Sequence, residues 1–89
     1  MEEVLITFDG TSHAVRAEQL LLAAGLRPTV MPLPGAIRAG CGIALRLLPA
    51  ELPAALAALE RARAARGALY RRLIENGHSC YKPIEEDAH

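Results

Sequence analysis

Four of the five positions from Val4 to Phe8 are apolar, with only Thr7 between them. A nearly continuous apolar run of this length suits a strand covered on both faces, so a central strand is predicted over 3–8. Asp9-Gly10 ends it. Thr11 and Ser12 then offer hydroxyl N-caps, and Ala14, Ala17, Leu21 and Ala24 repeat on one helical face with Leu20 beside them. Gly25 supplies the stop of this first helix.

Residues 28–34 are extended in character, but Pro28, Pro32 and Pro34 cannot donate to a ladder, which assigns the segment to a sheet edge. A glycine-bounded loop over 35–40 leads through Cys41-Gly42 into a third strand, Ile43-Ala44-Leu45-Arg46-Leu47-Leu48, paired with the second. After Pro49, the residues Ala55, Leu59, Ala62, Leu69 and Leu73 keep one helical phase through Gly67 as far as Asn76-Gly77. They predict one long second helix, bent at Gly67. A competing reading stops the helix near Arg66 and makes 70–74 a strand; the unbroken phase and the Asn-Gly stop favour the long helix. Residues 78–84 form a short last strand.

The predicted order is βαββαβ, an α+β ferredoxin-like sandwich of a four-stranded antiparallel sheet with two helices on one face. A single domain over 1–84 and an acidic disordered tail over 85–89 are expected. In this topology the first and third strands are central neighbours, and the third starts from the rim where the first ends. Cys41 is therefore expected beside Asp9-Gly10 and the first turn of the first helix.

Composition narrows the picture. The apolar fraction is 52%, yet much of it is alanine and the aromatic residues are Phe8, Tyr70 and Tyr81, so the core is thin and a homodimer is a natural way to supplement it. Formal charge is zero, with acids gathered at both ends and a middle whose cations are arginines. Guanidinium forks suit carboxylates, phosphates or an acidic protein face. Nucleic acid is not expected, because the arginine-rich segment lacks stacking aromatics. No apolar run approaches the roughly 20 residues of a membrane span. An acidic start without an apolar core segment argues against a secretory signal, and two cysteines without one argue for the reducing cytoplasm rather than a disulfide framework.

Cys41 is the residue with the most chemistry to offer. Free amides near Ser12 and His13, with the positive end of a helix dipole, favour thiolate over thiol. Such settings are those of nucleophilic and sulfur-bearing cysteines. Gly40 and Gly42 remove flanking side chains and open the approach. His13 is a candidate to protonate a leaving group or hold an anion, and Arg38 and Arg46 to neutralise negative charge, with Arg46 free to face either side of the sheet. Each has a plainer reading: Cys41 as a small buried hydrophobe, His13 as a solvated helix-start residue, and Arg61, Arg63, Arg66, Arg71 and Arg72 as a wet helix face.

The run Ala17-Glu18-Gln19-Leu20-Leu21 with Ala24-Gly25, then Met31-Pro32-Leu33-Pro34, then Cys41-Gly42-Ile43-Ala44-Leu45-Arg46 resembles the family of Se/S carrier protein-like domains. The resemblance implies a cysteine that carries selenium or sulfur between a protein donor and acceptor, of the cysteine-desulfurase or small-sulfurtransferase kind. It implies a carrier more than a complete enzyme, with no metal or organic cofactor. The alternative is a non-catalytic interaction or regulatory module of the same fold in which Cys41 is merely packed. A redox pair of Cys41 with Cys80 is disfavoured, since with Cys80 on the last strand, beside the first, the two lie two strand spacings apart, about 9.5 Å, beyond the roughly 7 Å reach of a disulfide. His78-Ser79-Cys80 is a weak metal motif, short of the four ligands that structural zinc takes.

Overall fold

The computed structural model describes residues 2–37 and 40–85. Its elements are β1 (Glu2–Thr7), α1 (Thr11–Ala23), β2 (Thr29–Pro32), β3 (Ile43–Leu47), a 3-10 turn (Pro49–Glu51), α2 (Leu52–Arg61), β4 (Leu69–Glu75) and β5 (His78–Pro83). The sheet is antiparallel in the order β2-β3-β1-β4-β5. The α+β class and two helices are as expected, but the sheet has five strands rather than the four of the predicted ferredoxin-like sandwich.

The difference lies after α2. The helix ends at Arg61, and Ala62 to Ala64 close it with a turn in which Arg63 takes φ 52°. Ala64 N–H donates to Leu59 O at 2.9 Å and Arg63 N–H to Glu60 O at 3.0 Å, the two bonds of a Schellman stop. α1 ends the same way, with Gly25 at φ 85°, Leu26 N–H donating to Leu21 O and Gly25 N–H to Leu22 O. The long second helix is thus corrected to a ten-residue helix followed by a strand. Leu69 and Leu73 misled because a spacing of four residues fits a period of two as well as one of 3.6.

Asn76 and Gly77 are the corner of a hairpin rather than a helix stop. Both have positive φ, 52° and 79°, the signature of a two-residue type I′ turn. Gly67 does not bend a helix either. Its N–H donates to Thr7 O at 2.7 Å, and a β-carbon there would stand 2.6 Å from Thr7 Oγ1. Thr7 in turn donates its N–H and its hydroxyl to Ala68 O, each at 3.0 Å, so this buried polar residue is satisfied by the strand entry it recruits.

Alternation along β1 divides the interior. Ile6 and Phe8 face the helices and pack with Ala14, Ala17, Leu21, Ala55, Leu59 and Leu69. Leu5 faces the other way and packs with Ile37 and Ala44, supported by Met31, Leu33, Tyr70 and Tyr81. The chain after β2 therefore covers part of the helix-free face, which is why β1 is buried on both sides as its apolar run predicts.

Next to that second cluster runs a polar row. Arg46 Nε lies 3.2 Å from Glu3 Oε2, and Arg72 Nη1 donates to Glu3 Oε1 at 2.5 Å. At the flanks Arg46 reaches Thr29 Oγ1 at 3.4 Å and Arg72 reaches Ser79 Oγ at 3.2 Å, so the row touches all five strands. The Arg72 guanidinium is held above its ordinary value chiefly by the Glu3 hydrogen bond, against the opposing effect of burial, with Tyr81 adding to the rise.

Candidate functional site

Cys41 sits in the turn that feeds β3. Its N–H donates to Phe8 O at 3.0 Å, tying the turn to the residue just beyond β1. Gly40 takes φ 60° and Gly42 φ 81°, conformations that a side chain strains. At Gly40 the need is also steric, because a β-carbon there would overlap the Phe8 carbonyl oxygen and come within 3.4 Å of Asp9 Cα. On the other side, Leu33 N–H donates to Gly42 O at 2.8 Å. The cysteine is thus gripped at three backbone points: Phe8 below, β2's exit beside it, and β3 ahead.

Two residues after Phe8, Gly10 is the N-cap of α1. Thr11 and Ser12, expected as caps, are instead the first helical residues, and Gly10 has no side chain with which to cap. Ser12 and His13 are exposed on the first turn, and the His13 ring lies over Gly10. The rim that sequence reasoning assigned to Cys41 is therefore the rim it occupies. Cys41 as a residue is partly exposed and packs against the helix-side core cluster, as does Ile43.

The other expected residues divide. Gly40 and Gly42 flank the cysteine. Arg38 lies outside the described residues. Arg46 is not brought to the thiol: it stands three residues beyond Ile43, about 10 Å along the strand, on the helix-free face and engaged with Glu3. Cys80 lies on β5 opposite Leu73, its Sγ 3.9 Å from Glu75 Oε2. From β3 to β5 is three strand spacings, about 14 Å, rather than the two expected. Both cysteines are free thiols.

Sequence reasoning missed the Phe8 carbonyl as anchor of the site and Thr7-Gly67 as its counterpart across β1. Gly67 docks on the β4 side of β1 and Cys41 on the β3 side, so both loops converge on one strand end. No local signal carries either contact, since each joins backbones more than 30 residues apart.

Among the described residues no helix is long and apolar enough to cross a membrane. No curated protein and no solved structure matches the chain. A family model does match, over residues 3–71, from β1 to the third residue of β4, and leaves β5 beyond it. With that match over most of its length, and with the Cys41-Gly42 turn inside the matched region, the chain belongs to the family described as "Putative Se/S carrier protein-like".

Proposed function

We propose that this protein carries selenium or sulfur on Cys41, receiving it from a protein donor and passing it to a protein acceptor. The observation that carries the reading is a partly exposed cysteine on a glycine-flanked turn, pinned by its N–H to Phe8 O just beyond β1, within the family match. The Cys41 thiolate attacks the outer sulfur of a donor persulfide. A bond forms between Cys41 Sγ and that sulfur, the donor's sulfur–sulfur bond breaks, and the donor leaves as its thiolate. In the second step an acceptor thiolate attacks the same outer sulfur and Cys41 departs as thiolate, so no net oxidation occurs. The selenium reaction follows the same pattern of bonds.

In this reading Gly40 and Gly42 leave the approach clear. His13 supplies a proton to the leaving thiolate, Ser12 presents a first-turn hydroxyl, and Arg38, three residues before Cys41 in sequence, contributes charge. Donor and acceptor are of the cysteine-desulfurase or small-sulfurtransferase type, and the chain works as a carrier in the cytoplasm without a cofactor. Incubation with a cysteine desulfurase and cysteine, followed by intact mass, is expected to add one sulfur to the wild type and to Cys80→Ser, and none to Cys41→Ser. Equal labelling of Cys41→Ser would end the proposal.

The contact of Cys41 with the core cluster favours a second reading, an interaction or regulatory module in which the thiol is packing. Iodoacetamide separates the two: a Cys41 that reacts only on unfolding supports the module, and one that reacts in the native state supports the carrier.

A further inference from the structure

The sheet has two edges, and they differ. β2 spans four residues, ends at Pro32, and is followed by Pro34. β5 is longer, and its outward-facing groups follow from the ladder. Ile84 N–H donates to Leu69 O at 2.9 Å, and the register pairs Arg71 with Lys82, Leu73 with Cys80 and Glu75 with His78. Alternation in an antiparallel pair then turns the N–H and C=O groups of Lys82, Cys80 and His78 inward to β4, and those of Ser79 and Tyr81 outward, with Pro83 offering only its carbonyl. The hairpin also overhangs its neighbour. β1 begins at Glu2, opposite Leu73, so Ile74 to Ser79 form a two-stranded ribbon, an arrangement marginal by itself in water. Ile74 is 53% exposed there.

We propose that the β5 edge pairs antiparallel with the β5 edge of a second copy of this chain, about a twofold axis through Cys80. The register follows from the outward groups. Centring on Cys80 sets Ser79 opposite Tyr81 of the partner subunit twice over, and each of these residues both donates and accepts, so the outward N–H and the outward C=O of both residues are paired. Centring on Tyr81 sets Ser79 opposite a proline without an N–H, and centring on Ser79 sets Tyr81 opposite the turn glycine, Gly77. A one-residue slip opposes outward groups to inward ones. Pro83 thus acts as a stop that selects one register, in the manner of edge prolines that restrict pairing.

The faces agree with this arrangement. On the helix-free side the row Thr29, Arg46, Glu3, Arg72, Ser79 reaches the edge at a small side chain, and the partner's Tyr81 lands next to it, close to the exposed Ile74. Cys80 meets its symmetry mate in a non-hydrogen-bonded pair, where Cα atoms lie about 4.5 Å apart, inside the roughly 4.4–6.8 Å range of disulfides. The contact lies on the flank away from Cys41 and does not depend on what Cys41 does.

Sedimentation equilibrium of the reduced full chain tests this, with Cys80→Ser as the neutral control and Cys80→Lys to set two ammonium groups face to face at the axis. Wild type and Cys80→Ser are expected to rise with concentration toward twice the chain mass. Cys80→Lys, folded by circular dichroism, is expected to stay at the single-chain mass. Diamide, which takes up two electrons and two protons as two thiols join, is expected to trap a covalent dimer in wild type and Cys41→Ser and none in Cys80→Ser. A single-chain mass at every concentration, dimerisation of Cys80→Lys equal to that of Cys80→Ser, or a trapped dimer that persists in Cys80→Ser would each overturn the proposal.

Discussion

Gly40 and the carbonyl of Phe8 approach so closely that no β-carbon fits between them, and the hydrogen bond from Cys41 N–H to that same oxygen depends on the approach. One peptide oxygen at the end of β1 therefore fixes where the thiol stands. It also explains why the residue before the cysteine is a glycine at φ 60°.

Gly40→Ala combines left-handed strain of roughly 1–2 kcal/mol with this overlap, so urea unfolding should show a loss of about 2–4 kcal/mol. Gly42→Ala meets nothing within 4 Å and carries the strain alone, so its loss should stay near 1–2 kcal/mol. Equal losses at the two positions would mean that the turn is not held against Phe8.

The same logic applies at Gly67, where an added β-carbon meets Thr7 Oγ1 at 2.6 Å and Thr7 O at 3.0 Å. Gly67→Ala should destabilise by about 1–3 kcal/mol. Combining it with Thr7→Ala removes the hydroxyl from the clash. The double variant should therefore be more stable than the sum of the single changes predicts, with a coupling of about 0.5–1.5 kcal/mol in a double-mutant cycle.

Arg63 does the work of a C-terminal glycine at φ 52°. Arg63→Gly should relieve about 1–2 kcal/mol of left-handed strain against an unfolded-state entropy cost of about 0.5–1 kcal/mol. The expected outcome is a gain of a few tenths to about 1 kcal/mol, read as a rise in the thermal midpoint. A fall would place the value of this residue in its side chain.

Glu3 joins Arg46 and Arg72 with a side chain only 12% exposed, while Arg46 remains 38% exposed and solvent-screened. Glu3→Gln should cost about 1–2 kcal/mol, most of it from the Arg72 contact. Because the folded state holds Arg72 above its ordinary value, this contribution is fully present below that value and fades only as pH climbs through the folded one. The Arg72 end of the row should therefore give no pH dependence at neutral pH. Added salt should narrow the gap between wild type and Glu3→Gln only partly, since the Glu3 carboxylate is largely shielded from solvent.

β1, α1, the proline-marked β2 and β3 were legible because their periods and their Gly and Pro stops are local signals. The 52–75 region was not, because Ala55, Leu59, Leu69 and Leu73 satisfy helix and strand periods alike, and the decisive element was an arginine in a conformation usually left to glycine. Asn76-Gly77 is a turn signal that fits a helix stop and a hairpin corner equally, and the pairing of Tyr81 with Arg72 decides for the hairpin. Arg46 lay within a motif next to Cys41 in sequence, yet Glu3 holds it on the opposite side of the sheet.

By itself the sequence determined the α+β class, a first strand covered on both faces, the first helix with its glycine stop, and Cys41 on the turn before the third strand. Each of these depends on residues within a few positions of one another. Tertiary structure alone decided that Gly67 closes on Thr7, that Cys41 hangs from Phe8, and that a fifth strand forms. These outcomes rest on backbone groups remote in sequence finding one another, and residue type reports only weakly on where a main-chain donor will point.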